Sequence, residues 1–208
     1  MDFNTSQTKE NLARIFAGEC QDGARYQFIA KCATSQGLSY LADTMKMLAK
    51  HEMAHAGVIY DFLLKYGGGK MENIEISAGY PFEDYHLESS FKSCSGAELS
   101  QAKNIYPHFA KIAIDEGFKD IASSLKLISD VEYMHSQVLL EMAQKYNAKK
   151  LYKSAEAKNW MCSNCGHRHI LKEAWKTCPL CSYPQGYVAV SFESLQWFVT
   201  FLVLLKNG

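Results

Sequence analysis

The stretch KHEMAHAGVIYDFL, residues 50–63, decides the fold. Counting outward from it in alternating steps of three and four gives Met45, Leu48, Glu52, His55, Ile59 and Phe62, the inward seam of a packed helix. A carboxylate and an imidazole therefore point where that face should be most apolar.

The same rhythm marks three more helices. Spans of about 5–35, 39–66, 84–116 and 119–146 read as helical, with Gly37 and Gly117 closing short turns. Only the connection that opens on Gly67–Gly69 and contains Pro81 is long. Two hairpins joined by one crossover predict a mostly α fold, a ferritin-like four-helix bundle. Helix one contributes Leu12, Ile15, Glu19, Asp22, Tyr26 and Ile29; helix three contributes Phe91, Cys94, Glu98, Gln101 and Ile105; helix four contributes Leu125, Ile128, Glu132, His135, Leu139 and Met142. Each seam is apolar, is interrupted by a Glu and a polar residue three further on, and becomes largely apolar again. Glu19 precedes Glu52 by 33 residues and Glu98 precedes Glu132 by 34, so each half supplies one lone Glu and one Glu-x-x-His. His51, His86 and His108 lie off the seams and read as surface or structural residues.

Four carboxylates facing one another inside an apolar bundle would repel and lose hydration, each at a cost of several kcal/mol. Two divalent cations balance Glu19, Glu52, Glu98 and Glu132, and His55 and His135 offer one neutral nitrogen to each. That ligand set is the general signature of di-iron and di-manganese bundles, and its oxygen-rich character favours iron, then manganese.

The composition changes at Trp160. Cys162-x-x-Cys165 and Cys178-x-x-Cys181, twelve residues apart, form two knuckles that close a tetrahedral four-thiolate site. Geometry alone admits zinc or iron. A redox-active metal pair needs electrons one at a time, and this context favours iron. The expected organisation is a bundle over 1–148, a linker over 149–158, a metal-knuckle domain over 159–190 and an apolar extension over 191–208.

With 22 basic and 22 acidic residues the chain has no net field to recruit nucleic acid or an anionic membrane. The C-terminal apolar run is well short of the roughly twenty residues that span a bilayer. Polar residues occupy the start, and seven cysteines with paired spacing suit metal binding in a reducing cytoplasm better than disulfides.

FAGECQDGARY, KHEMAHA, AELSQAKNIYPHFAKIAIDEGF and DVEYMH, followed by the two knuckles, resemble the rubrerythrins over about residues 5–190. These are ferritin-like di-iron domains fused to rubredoxin-like domains. The resemblance implies a non-haem peroxidase that reduces hydrogen peroxide to water with electrons from NAD(P)H through a rubredoxin reductase or another donor. It carries over Glu19, Glu52, His55, Glu98, Glu132 and His135 as di-iron ligands and Cys162, Cys165, Cys178 and Cys181 as ligands of a rubredoxin-type iron. Tyr26 and Tyr106 match tyrosines beside the di-iron centre. A head-to-tail homodimer is implied, with exchange of helices between subunits left open. One departure is Gln101, where the family usually has a second helix-three Glu that exchanges with the helix-two His. Asp22, at the pseudo-symmetric place on helix one, becomes a candidate fifth carboxylate, and both join the candidate ligands. Two rival readings are a ferroxidase or iron-handling protein, and a non-catalytic bundle with a structural zinc knuckle.

Overall fold

A computed structural model describes residues 1–69, 73–82, 84 and 86–192. The apolar extension therefore lies outside the described residues from 193 onward. Helix α1 runs Gln7–Ser35 and α2 Ser39–Tyr66; α3, Leu87–Ser100, continues through a π-helical turn, Gln101–Ile105, into α4, Tyr106–Asp115; α5 spans Lys119–Asn147. The architecture is the expected four-rod bundle, with α3, the π turn and α4 making one rod.

Local chemistry fixes the ends. Ser6 caps α1 by accepting from the Lys9 N–H. At both hairpin turns a glycine takes positive φ, 72° at Gly37 and 96° at Gly117. There the following N–H reaches back along the helix, from Leu38 to the Ala33 carbonyl at 2.9 Å and from Phe118 to Ala113 at 2.7 Å.

The π turn corrects the third seam. A π turn spends one extra residue, so positions after Glu98 advance by one: Ala102, Tyr106, Ala110 and Ala113 are buried, while Ile105 is 38% exposed. Pro107 follows the turn and lacks the N–H that would bond back to the Lys103 carbonyl, which suits a break in the α-helical ladder.

The core splits into two apolar clusters. One holds Leu41, Leu48, Phe91, Leu139 and Met142; the other holds Leu12, Ile15, Ile59, Ile121 and Leu125. Each such buried side chain stabilises by about 2 kcal/mol. Between the clusters lies the layer of Glu19, Glu52, Glu98, Glu132 and His135, all at most 1% exposed.

Strand β1, Lys153–Met161, pairs antiparallel with β2, Arg168–Glu173, setting Trp160 opposite His169. This small unit seats on the bundle end. Gly186 packs so closely on the Gly37 carbonyl that a side-chain carbon would collide with it. Phe192 and Val190 enter the first bundle cluster beside Leu151. No helix among the described residues is long and apolar enough to cross a membrane.

Candidate metal centre

Each rod brings one carboxylate to mid-bundle, and the six nitrogen- and oxygen-bearing side chains form two overlapping quartets. Glu19, Glu52, His55 and Glu132 make one; Glu52, Glu98, Glu132 and His135 make the other; within each, the ligand atoms lie within 4.8 Å of one another. Glu52 and Glu132 belong to both. Glu52 sets Oε2 3.2 Å from His55 Nδ1 and Oε1 3.0 Å from His135 Nδ1. Glu132 mirrors it, with Oε1 2.8 Å from His55 Nδ1 and Oε2 2.9 Å from His135 Nδ1. Glu19 and Glu98 close the two ends.

These groups are near one another without being bonded to one another. Seven of their buried atoms, Glu52 Oε1 and Oε2, His55 Nδ1, Glu98 Oε2, Glu132 Oε1 and Oε2, and His135 Nδ1, have no hydrogen-bond partner of acceptable direction. Orphaned buried polar atoms are costly. Donor atoms that converge on a shared space rather than on each other fit a pair of cations there.

The electrostatics agree. Burial, with Glu132 and Glu52 adding repulsion, pushes Glu19 up to about 8 despite His55, and pushes Glu98 well above the carboxylate range. Burial would lower His55, but Glu132, Glu19 and Glu52 raise it to about 12; His135 rises to about 9 for the same reason. Burial raises Glu132 too, yet the two imidazoles outweigh it and hold that carboxyl at about 2. Without cations the cluster keeps protons in their place.

Two tyrosines cross the bundle to steady the outer carboxylates. Tyr26 on α1 donates its Oη to Glu98 Oε1, and Tyr106 on α4 donates to Glu19 Oε1. Glu19 Oε2 stays on the cluster side, 3.6 Å from His55 Nδ1. Burial raises both phenols well above their ordinary value, so both remain donors.

Asp22 and Gln101 meet each other instead of joining a quartet. Gln101 Nε2 donates to Asp22 Oδ2 at 2.9 Å, and Arg25 Nη1 lies 3.4 Å from Asp22 Oδ1. His51, which the sequence reads as a surface or structural residue, meets the metal centre. It is half-buried, and its Nδ1 sits 3.1 Å from His135 Nε2 with the rings nearly parallel. His51 lies one residue off the seam, so a count of inward positions skips it although its side chain reaches across to α5. A proton on His135 Nε2, donated to His51, leaves the His135 Nδ1 lone pair facing the carboxylates.

The four cysteines gather at the far end. The Cys162 N–H donates to the His167 carbonyl and the Gly166 N–H to the Cys162 carbonyl; Cys178, Tyr183 and Ser182 repeat this geometry. Gly166 and Ser182 both adopt positive φ, 75° and 60°. Sulfur separations of 3.7 Å, Cys162 to Cys181 and Cys165 to Cys178, are far beyond a disulfide. They match the edge, about 3.8 Å, of a tetrahedron with metal–sulfur bonds of about 2.3 Å.

Comparisons with known proteins cover most of the chain. A family profile described as "Rubrerythrin" matches residues 10–143, and one described as "Rubrerythrin, rubredoxin-like domain" matches 160–187. The chain is 33% identical over 190 residues to the "Rubrerythrin" of Clostridium perfringens, covering 91% of this chain and 96% of that one. It is 30% identical to the "Rubrerythrin" of Nitratidesulfovibrio vulgaris, covering 88% and 93%. A solved structure of nigerythrin in a partially reduced state superposes with a TM-score of 0.59 at 24% identity, covering 90% of each chain, a likeness of fold.

Proposed function

The chain belongs to the rubrerythrin family of oxidoreductases, with a carboxylate-and-histidine di-iron site and a rubredoxin-like four-cysteine iron site, and on that premise we propose that it is a peroxidase that reduces hydrogen peroxide to water. The observation that carries this reading is the pair of quartets sharing Glu52 and Glu132. Glu19 and His55 would hold one iron and Glu98 and His135 the other, with Glu52 and Glu132 within reach of both. When bound, the irons would supply the two electrons that reduce one peroxide, and Cys162, Cys165, Cys178 and Cys181 would hold an iron that passes electrons singly.

The chain's own side chains set the conditions for that chemistry. Tyr26 and Tyr106 hold the outer carboxylates by one oxygen each, leaving the other free for metal. His51 orients the His135 ring. Apolar clusters on both sides of the carboxylate layer exclude bulk water, which strengthens every electrostatic contact inside.

Electron supply favours a second copy. The knuckle unit touches the Gly37 turn, and Glu52 lies roughly 20 Å further along α2 at 1.5 Å per residue. A head-to-tail homodimer would bring a neighbour's knuckle nearer. An NAD(P)H-linked reductase in the cytoplasm completes the supply.

Stopped-flow mixing of the fully reduced, iron-loaded chain tests the reading. Peroxide should oxidise the bundle irons faster than dioxygen does, and the red thiolate-iron band should follow. Faster reaction with dioxygen would favour the ferroxidase, and a colourless knuckle the structural zinc site.

A further inference from the structure

A cavity of about 310 Å³ lies between α1 and the π turn, roofed by Ala78–Pro81 of the crossover. Gly18, Ala97 and Ser100 line it, and their small side chains keep it open. The roof is tied to α1: Tyr80 Oη donates to the Arg14 carbonyl at 3.3 Å, and Gln21 Nε2 donates to the Pro81 carbonyl at 3.1 Å. Its inner wall borders the metal centre. Tyr106 lines the cavity while donating to Glu19, and Asp22 and Gln101 each follow an outer carboxylate by three residues.

Asp22 is only 5% exposed, and both its oxygens are engaged, by Gln101 and by Arg25. It joins neither quartet of ligand atoms among the described residues. Asp22 lines the cavity, and a carboxylate has about two acceptor sites per oxygen, so one bond to each leaves capacity for another. We propose that this cavity is the port by which a small hydroperoxide reaches the metal centre, and that Asp22, held by Gln101 and Arg25, accepts the hydroperoxide O–H there. The proposal rests on the peroxidase reading. The space is roomy enough for several waters. That admits hydrogen peroxide and short-chain alkyl hydroperoxides. Gln101 and Arg25 are positioning residues, and the helix-three carboxylate usual in the family has moved, in effect, to α1 as a substrate contact.

The test uses the full-length iron-loaded chain, with Asp22→Asn and Ala97→Phe, and Ala78→Trp on the exposed roof in case Ala97→Phe fails to load iron. Iron content, the rate of oxidation by hydrogen peroxide, and the rate of azide binding to the oxidised centre are measured on each. Ala97→Phe should slow both peroxide oxidation and azide binding roughly tenfold or more, with iron content unchanged. Asp22→Asn should slow peroxide oxidation roughly tenfold, the loss of one charge-assisted hydrogen bond, and keep the iron. Iron lost from Asp22→Asn would make Asp22 a ligand and overturn the proposal. So would peroxide oxidation that neither cavity-filling variant changes. A wild-type centre that binds azide through the port yet ignores peroxide would instead sink the peroxidase reading and, with it, the hydroperoxide assignment.

Discussion

Stripping the metals and following unfolding against pH turns the carboxylate layer into a measurable slope. In the metal-free chain Glu19 holds its proton up to about pH 8, whereas the unfolded chain releases it near 4.5. The native state therefore binds more protons over that interval. The stability from this group is full below about 4.5 and is lost as pH rises toward 8. His55, raised from 6.5 to about 12, and His135, raised to about 9, add the same sign above 6.5. Glu132, held at about 2, has the opposite sign but acts only below 4.5. One proton is worth about 1.4 kcal/mol per pH unit. Glu19 alone then removes roughly 4 kcal/mol between about pH 5 and 8, a large share of a total of about 5–15 kcal/mol. Urea unfolding followed by helical circular dichroism reads this directly. The metal-free bundle should weaken steeply with rising pH, and the iron-loaded one, its protons replaced by cations, should not. A metal-free chain whose stability stays level across that range would refute the convergence of these groups.

Other consequences follow from contacts outside the centre. Glu116 accepts from the Gln7 and Thr8 N–H groups at 2.9 and 2.8 Å, capping α1 from across the bundle, so Glu116→Gln should cost about 1 kcal/mol. Burial raises Glu116, but hydrogen bonds from the Thr8 hydroxyl and the Gln7 and Thr8 N–H groups together outweigh it and lower the carboxyl, so the gap between wild type and variant should close as pH falls below the ordinary carboxylate range. Gly186→Ala drives a carbon into the Gly37 backbone, which has no flexible end to yield; overpacking of about 1–3 kcal/mol should unseat the small unit. Faster proteolysis within 149–152, ahead of β1, at unchanged helix content, would report it, and an unaltered cleavage rate would contradict the seat. Cys178→Ser should abolish the red chromophore and melt the knuckles while the bundle keeps two irons.

Much of the bundle was legible because each helix writes its burial into a period. Glu52 and His55 break an apolar seam, and four such breaks at matched spacing specify one polar layer. The π turn was legible only by a finer comparison. Glu98 stands 79 residues after Glu19, whereas Tyr106, Gly117 and Glu132 stand 80 after Tyr26, Gly37 and Glu52. The inserted residue falls between Glu98 and Tyr106, where the extra backbone of Gln101–Ile105 is found. A seam count that assumes constant pitch carries straight past it to Ile105. His51 escaped because a long side chain one position off the seam can still reach across a helix pair. The Asp22–Gln101 bond escaped because which partner a buried amide chooses depends on helix separation, which periodicity does not encode.

Anomalous scattering at the iron edge from crystals of the loaded chain addresses the metal centre itself. Two bundle peaks about 3.5–4 Å apart are expected, both bonded to Glu52 and Glu132, with a third peak among the four cysteines. A single bundle peak, or peaks that leave Glu52 and Glu132 uncoordinated, would contradict the shared-carboxylate centre.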